Sequence, residues 1–533
     1  MTSRCALLAL ALCGLGACTD ETPSSNADTP TAAGVPLPDG RFEGVDEEGE
    51  EATLRLADLR GGPTDHALVV ITGGLWCGTC QWLAAPTEAF LGAESAARLA
   101  RFDLVLGDRD NGVPTREAAR AWQARGVDAP VGADPDHALA SLLPDRSPLP
   151  VVLLVDTRDL TVVTSMANPT TNELRTHVAD RLELAPKPST PIDGFDENEW
   201  ALLQTTTVPG PPPPSPDNPV ADDPDAVALG EALFFDTGLS PDGVACASCH
   251  QPDHHLHNDA PVGEGASSGR RRVPSVTLAA HARWQLWDGR AASLSDQSLL
   301  PMEDDTEMAS SRTYVARQVL TSHRDAYERV FGPAPDDSLW PITGKPCDAV
   351  FDALPASERA AITEVFRRAG QAIAAWERSL RVAPNALDAY LAGDLDALDT
   401  EEKYGLRLFV KQGCPQCHWG PRLTDDAFHN VGFPGWVQGA PDLGRFDVLG
   451  PEAEPRHRGQ FKTPPLRGVA HGSFFGHAGR HADLAEVMQV YGWRAPDPEA
   501  VIGERELWLP TFGETAQWGL IPFLATLTAE RIE

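Results

Sequence analysis

Apolar positions along the chain fall into runs of different length and period. The first, 6–12, reads Ala-Leu-Leu-Ala-Leu-Ala-Leu behind Arg4. It is too short to span a bilayer and has the charge and length of an export signal. A polar stretch rich in Ser, Thr, Pro and Asp follows over 19–34 and predicts a flexible tether. Next come compact apolar runs at 67–71, 102–106, 151–155 and 160–165, which read as buried strands. Helices are predicted over 83–91 and 171–182, giving an α/β order. Between 209 and 219 seven of eleven residues are proline, a run that favours extended polyproline II and cannot join a helix or a central strand. No later stretch is long and apolar enough for a transmembrane helix.

These breaks divide the chain into a signal (1–17), a tether (18–35), an α/β domain (36–195), a Pro-rich linker (196–219) and a C-terminal region (220–533). The total of 533 residues fits three or four folding units, and 42% hydrophobic residues suffice for ordinary cores. With 77 acidic against 43 basic residues the net charge is −34, which disfavours nucleic acid as a partner. The signal ends in Leu15-Gly16-Ala17-Cys18, which resembles a bacterial lipobox. That resemblance implies lipidation of Cys18 and a periplasmic protein tethered to the membrane, with a plain secretory signal as the alternative.

The placement of the ten cysteines says more than their number. Trp76-Cys77-Gly78-Thr79-Cys80 lies where the 67–71 strand passes into the 83–91 helix. Helix N-termini stabilise a thiolate at the first cysteine of such a loop. With the α/β order, the motif resembles the thioredoxin-like fold, whose cis-proline matches Pro150. A redox-active pair is expected, with Cys77 attacking and Cys80 resolving; a zinc half-site and a structural disulfide are the alternatives.

Cys246-Ala247-Ser248-Cys249-His250 and Cys414-Pro415-Gln416-Cys417-His418 both read Cys-x-x-Cys-His. Two thiols at this spacing add across the vinyl groups of one heme, and the adjacent histidine reaches the iron. Two covalent c-type hemes are therefore expected, held by Cys246, Cys249 and His250 and by Cys414, Cys417 and His418. Around them stand Leu229-Gly230-Glu231, Trp287-Asp288-Gly289-Arg290, Glu307-Met308, Trp376-Glu377-Arg378, Phe461-Lys462-Thr463-Pro464-Pro465 and His477-Ala478-Gly479-Arg480. This set, in this order, resembles the bacterial di-heme cytochrome c peroxidase and MauG family over 220–533. The resemblance implies two mostly helical cytochrome c-like domains, 220–395 and 396–533, with peroxide bound at the first heme and electrons held or relayed by the second. It also makes Glu307 the distal acid–base group and Trp287 the residue between the hemes, with Trp284 a lesser candidate.

Three departures from the classical pattern matter. The loop that carries a blocking histidine in classical members reads Gly263-Glu264-Gly265 here; a carboxylate is a poorer lock, so an iron open to peroxide without prior reduction is expected, with Glu264 itself or one of His254, His255 and His257 as the alternative ligand. Tyr491 takes the place of the methionine ligand of the second heme, as in MauG-like members, with Met488 as its rival. Arg272 replaces a calcium-ligating asparagine, which makes calcium doubtful. Cys347 is left unpaired and reads as an inert buried thiol. The expected function is hydrogen peroxide reduction, with electrons from a small periplasmic donor or from Trp or Tyr of a partner protein. The alternative is an electron-transfer cytochrome coupled to the thiol–disulfide domain without peroxidase activity.

Overall fold

The computed structural model describes residues 33–60, 64–91, 93–108, 111–139, 148–184, 192–492, 501–506 and 513–532. The signal, the tether up to residue 32 and Cys18 lie outside these residues. Among the described residues no helix is long and apolar enough to cross a membrane.

The N-terminal unit is built on a seven-stranded sheet. Its strands are β1 (Arg41–Val45), β2 (Glu51–Arg55), β3 (His66–Thr72), β4 (Leu99–Val105), β5 (Val131–Ala133), β6 (Val151–Asp156) and β7 (Thr161–Ala167), in the order β2-β1-β5-β4-β3-β6-β7. β3, β4 and β5 run parallel, and the flanking pairs are antiparallel. The central position of β3 explains its uninterrupted apolar sequence, since both of its faces are covered. The helix Thr171–Leu182 has the expected bounds and starts with a Thr170/Glu173 capping box. The Leu149–Pro150 peptide is cis.

The expected helix over 83–91 is not continuous. A short 3-10 helix, Gly78–Leu83, follows the first cysteine, and α-helix resumes only at Thr87–Leu91. Pro86 lies between them, without an N–H to carry the hydrogen-bond ladder on. Cys77 therefore caps one tight turn instead of the dipole of a long helix.

The C-terminal region holds two helical cores. In the first, Pro224–Phe234 packs along the long helix Ala356–Ser379. Asp223 caps the shorter helix and Pro224 occupies its first turn. In the second, Thr400–Lys411 packs against Glu514–Ala525 through Leu406, Phe409, Leu520 and Phe523.

One expected segment holds more structure than its composition suggested. The segment expected as a linker contains a helix, Glu197–Gln204, whose Asp196/Glu199 capping box starts it and whose Trp200 and Leu203 enter the last core. Only the proline run after it is extended, and Arg378 donates to the carbonyls of Pro212 and Pro213 there. The helix Ala386–Leu391 also belongs to the last core, through Leu387 and Tyr390.

Gly230 shows how close the first pair of helices runs. A Cβ at this position would lie 1.8 Å from the backbone oxygen of Ala372. Relief requires the helices to part, an overpacking cost of about 1–3 kcal/mol. Gly230→Ala should lower the thermal unfolding midpoint of the heme region, and an unchanged midpoint would contradict this packing.

Candidate active site

Both Cys-x-x-Cys-His motifs open onto one cavity of about 750 Å³ between the helical cores. Cys246–Cys249 forms a single helical turn and Cys414–Gln416 a 3-10 turn. Each carries the chain past the second cysteine so that the histidine faces inward. His250 Nδ1 lies 3.0 Å from Leu256 O, and His418 Nδ1 lies 2.9 Å from Leu423 O. A carbonyl only accepts, so Nδ1 carries the proton and each Nε2 presents its lone pair. Burial pushes the His250 pKa down to about 4 and lowers that of His418, keeping both rings neutral. Cys246, Cys249, Cys414 and Cys417 form no disulfide, although Cys77 and Cys80 at the same spacing do; Cys347, expected to be buried, is exposed.

Buried polar atoms without partners cluster around this cavity: His257 Nε2, Arg272 Nε, Arg422 Nε and His477 Nε2. Unsatisfied polar atoms, two of them arginine Nε donors, beside two sets of cysteines and aimed imidazoles are what anionic, covalently attached hemes require. The residues fit two hemes.

Glu307 lines the same cavity. Burial first, and the repulsion of Asp304 second, raise its carboxyl above the ordinary glutamate range, against the pull of Arg290. The Gly263–Gly269 loop fixes its backbone: Ala266 N–H donates to Glu307 O at 2.7 Å, and Ser267 N–H to Thr306 O at 3.0 Å. A Cβ at Gly265 would come within 2.2 Å of Glu307 O. The glycine loop is thus a brace for Glu307. The Glu264 side chain is exposed and does not line the cavity. Of the nearby histidines, His254 pairs with Asp259, His255 stacks on His471 at 3.5 Å, and His257 donates from Nδ1 to Asn258 O at 2.9 Å.

Trp287 lies in the cavity wall, its indole N–H donating to Arg272 O at 2.9 Å. Its ring centroid is 6.5 Å from that of His477, and Arg272 N–H donates to His477 O. Trp284 packs near Phe428 and Arg445. Tyr491 and Met488 both face the cavity from the helix Leu484–Tyr491. Burial holds the Tyr491 phenol protonated in the absence of a metal.

His477 entered the sequence reading only as part of the His477–Arg480 motif, without a role of its own, yet a signal for one existed. Ala279-Ala280-His281-Ala282-Arg283-Trp284-Gln285-Leu286-Trp287-Asp288-Gly289-Arg290 and Val469-Ala470-His471-Gly472-Ser473-Phe474-Phe475-Gly476-His477-Ala478-Gly479-Arg480 repeat each other at an offset of 190. Each begins with a 3-10 turn, contains one isolated bridge (Gln285 with Ala291, Phe475 with His481) and leads to a capped helix. His477 is therefore the counterpart of Trp287, and the two copies meet at the centre of the cavity.

His429 was also missed. It is buried between Asp425 (3.0 Å) and Glu506 (2.8 Å), and its Nε2 lies 3.7 Å from Cys417 Sγ. Burial opposes its charge, but the carboxylates of Glu506 and Asp425 lift its pKa well above the ordinary value, so the ring is cationic.

Comparison with known proteins agrees with this geometry. Residues 224–396 match the family model for di-haem cytochrome c peroxidase. The methylamine utilization protein MauG of Methylophilus methylotrophus is 31% identical over 283 residues, covering 51% of this chain and 74% of that protein. The cytochrome c551 peroxidase of Nitrosomonas europaea is 30% identical over 275 residues, covering 50% and 73%. The chain belongs to the di-heme cytochrome c peroxidase and MauG family. It is a di-heme peroxidase-type oxidoreductase, and membership implies two c-type hemes. Among solved structures, a MauG-like protein associated with microbial copper homeostasis aligns at 26% identity and a TM-score of 0.48, over 60% of this chain and 94% of that one. The fused N-terminal unit combines a parallel β3–β4 pair, a cis-proline at 150 and the Cys77–Cys80 disulfide, the arrangement that its resemblance to the thioredoxin-like fold implies.

All the expected cavity residues of this di-heme peroxidase come together: His250, His418, Glu307, Trp287, Tyr491 and Met488. Cys77 and Cys80 do not line the cavity. If the sulfurs of each motif form thioethers, acid–acetone treatment should leave two hemes on the polypeptide. Replacing Cys414 and Cys417 by Ala should leave one, and heme passing into the organic phase would contradict covalent attachment.

Proposed function

We propose that the chain reduces hydrogen peroxide at the heme held by Cys246, Cys249 and His250, while the heme held by Cys414, Cys417 and His418 stores or relays the electrons. The observation that carries this is the convergence of Glu307 and His250 on one cavity, with the Glu307 carboxyl raised by burial. The hemes would supply the redox chemistry. Glu307 as carboxylate takes a proton from one peroxide oxygen and, as carboxylic acid, returns it to the other, so that the leaving oxygen departs as water. Arg290 tempers the rise in the carboxyl pKa, keeping both protonation states accessible. Trp287, fixed by Arg272 O, offers an oxidisable indole between the two motifs.

Tyr491 is proposed as the sixth ligand of the second heme, because an oxygen ligand favours the ferric state and suits storage of oxidising equivalents. The outward Glu264 side chain favours a first heme that is open to peroxide without prior reduction. Electrons would come from a small periplasmic donor or, as in a MauG-like reaction, from Trp or Tyr of a partner protein. The lipid anchor at Cys18 and the periplasmic location belong to the same proposal.

Glu307→Gln should lower kcat/KM for peroxide by about 10²–10⁴-fold. The wild-type rate should fall on acidification through a pKa above the ordinary glutamate value, because protonation removes the base, and this dependence should vanish in the variant. A variant with the wild-type rate and pH profile would remove Glu307 from the reaction. Tyr491→Met should raise the potential of the second heme in a spectroelectrochemical titration. A potential that responds instead to Met488→Ala would assign the ligand to Met488.

A further inference from the structure

The Cys77–Cys80 disulfide lies against the back of the second heme-attachment motif. Both sulfurs are fully buried, with 0% exposure for each residue. The residues between the two cysteines pack on the residues between Cys414 and Cys417: a Cβ at Gly78 would lie 2.1 Å from Pro415 O and 2.4 Å from the Trp419 ring. Trp419 Nε1 donates to Trp76 O at 3.0 Å. The Trp76 ring meets His429 edge-on at 5.0 Å, and His429 reaches Cys417 Sγ at 3.7 Å. Asn111 of the thioredoxin-like unit reaches the same group, its Nδ2 donating to Glu506 at 2.9 Å and to Phe428 O at 3.1 Å.

A thioredoxin-like pair normally works by presenting a thiolate to the disulfide of another molecule. Here that approach is closed, and the neighbouring redox group is the heme that Cys417 would carry. The pair exchanges two electrons and two protons, the number that one peroxide consumes. We propose that the Cys77/Cys80 dithiol is the built-in electron donor of the peroxidase, feeding the second heme through Trp76, His429 and Cys417. This rests on the peroxide-reducing reading above and names the donor for it.

The balance is Cys77–SH + Cys80–SH + H₂O₂ → Cys77–S–S–Cys80 + 2 H₂O. Two S–H bonds and the O–O bond break and the S–S bond forms. The thiols lose two electrons and two protons, and the peroxide oxygens gain them. A further cycle needs an external dithiol to reduce the disulfide by exchange, which requires the loop at 77–80 to lift off Pro415 and Trp419.

The test uses the full chain with both hemes. The pair is reduced with dithiothreitol, the reductant removed, and one equivalent of hydrogen peroxide added. The reaction is then quenched in acid, alkylated with N-ethylmaleimide, and the peptide containing Cys77 and Cys80 is weighed. Two alkylatable thiols should be lost per peroxide, at least 10-fold more slowly in Glu307→Gln and in Trp419→Ala, the latter of which touches no peroxide-facing group. Thiols that survive while the same preparation consumes peroxide with a dye as donor would overturn the proposal and leave the peroxidase reading standing. Thiol loss at the wild-type rate in both variants would show direct attack of peroxide on sulfur and would also overturn it. Failure to consume peroxide even with the dye would overturn the peroxidase reading, and the proposal with it.

Discussion

Two backbone carbonyls, Leu256 O and Leu423 O, decide what the cavity can do. Each takes the Nδ1 proton of the histidine a few residues earlier, so each imidazole is held in one tautomer with its lone pair aimed inward. A buried imidazole without such a partner would be free to turn, and its neutral form would not select one ring nitrogen. The turns that deliver these carbonyls also set where the cysteines lie, so attachment and ligation come from one short piece of chain. Everything else in the cavity wall is arranged around those two fixed directions. Glu307 comes from a braced loop, Trp287 and His477 from the paired repeat, and Tyr491 from the end of a capped helix.

The same economy appears where the thioredoxin-like unit meets the heme region. The contact is made of backbone carbonyls, an indole N–H and a glycine, with a cationic His429 neutralised by Asp425 and Glu506 at its heart. Breaking one side of that buried charge group would leave the remaining charges unpaired, a loss of several kcal/mol by the usual cost of such groups. The fold thus secures docking through the very residues that connect the disulfide with Cys417.

Much of this was legible in the sequence because it is local. The heme motifs are five residues long, and β3 and β6 are continuous apolar runs. The helix Thr171–Leu182 carries its own cap. Glu307 and Trp287 were found because their flanking residues match a family pattern. What escaped depends on distant partners. His429 is an unremarkable histidine until Asn111 and Glu506 close on it from far along the chain. The repeat that pairs Trp287 with His477 was present at an offset of 190 but is diluted by substitutions at the aromatic positions. The helix Glu197–Gln204 was obscured by the proline run just beyond it, although Asp196 and Glu199 spelled its capping box. Pro86 was visible all along, and its effect on the helix after Cys80 follows from the missing N–H.

The close approach of Gly78 to Pro415 and Trp419 bears on how such a chain can vary over evolutionary time. In a free-standing thiol–disulfide protein, the two residues between the cysteines can change to suit the thiol chemistry. Here the first of them is chosen by a neighbouring domain more than three hundred residues away. Drift at Gly78 must be met by compensating drift at Pro415 or Trp419, whose own freedom is limited by the heme motif they flank. The two Cys-x-x-Cys loops are therefore bound to change together, which leaves Thr79 as the loop position with the most independence from the heme domain.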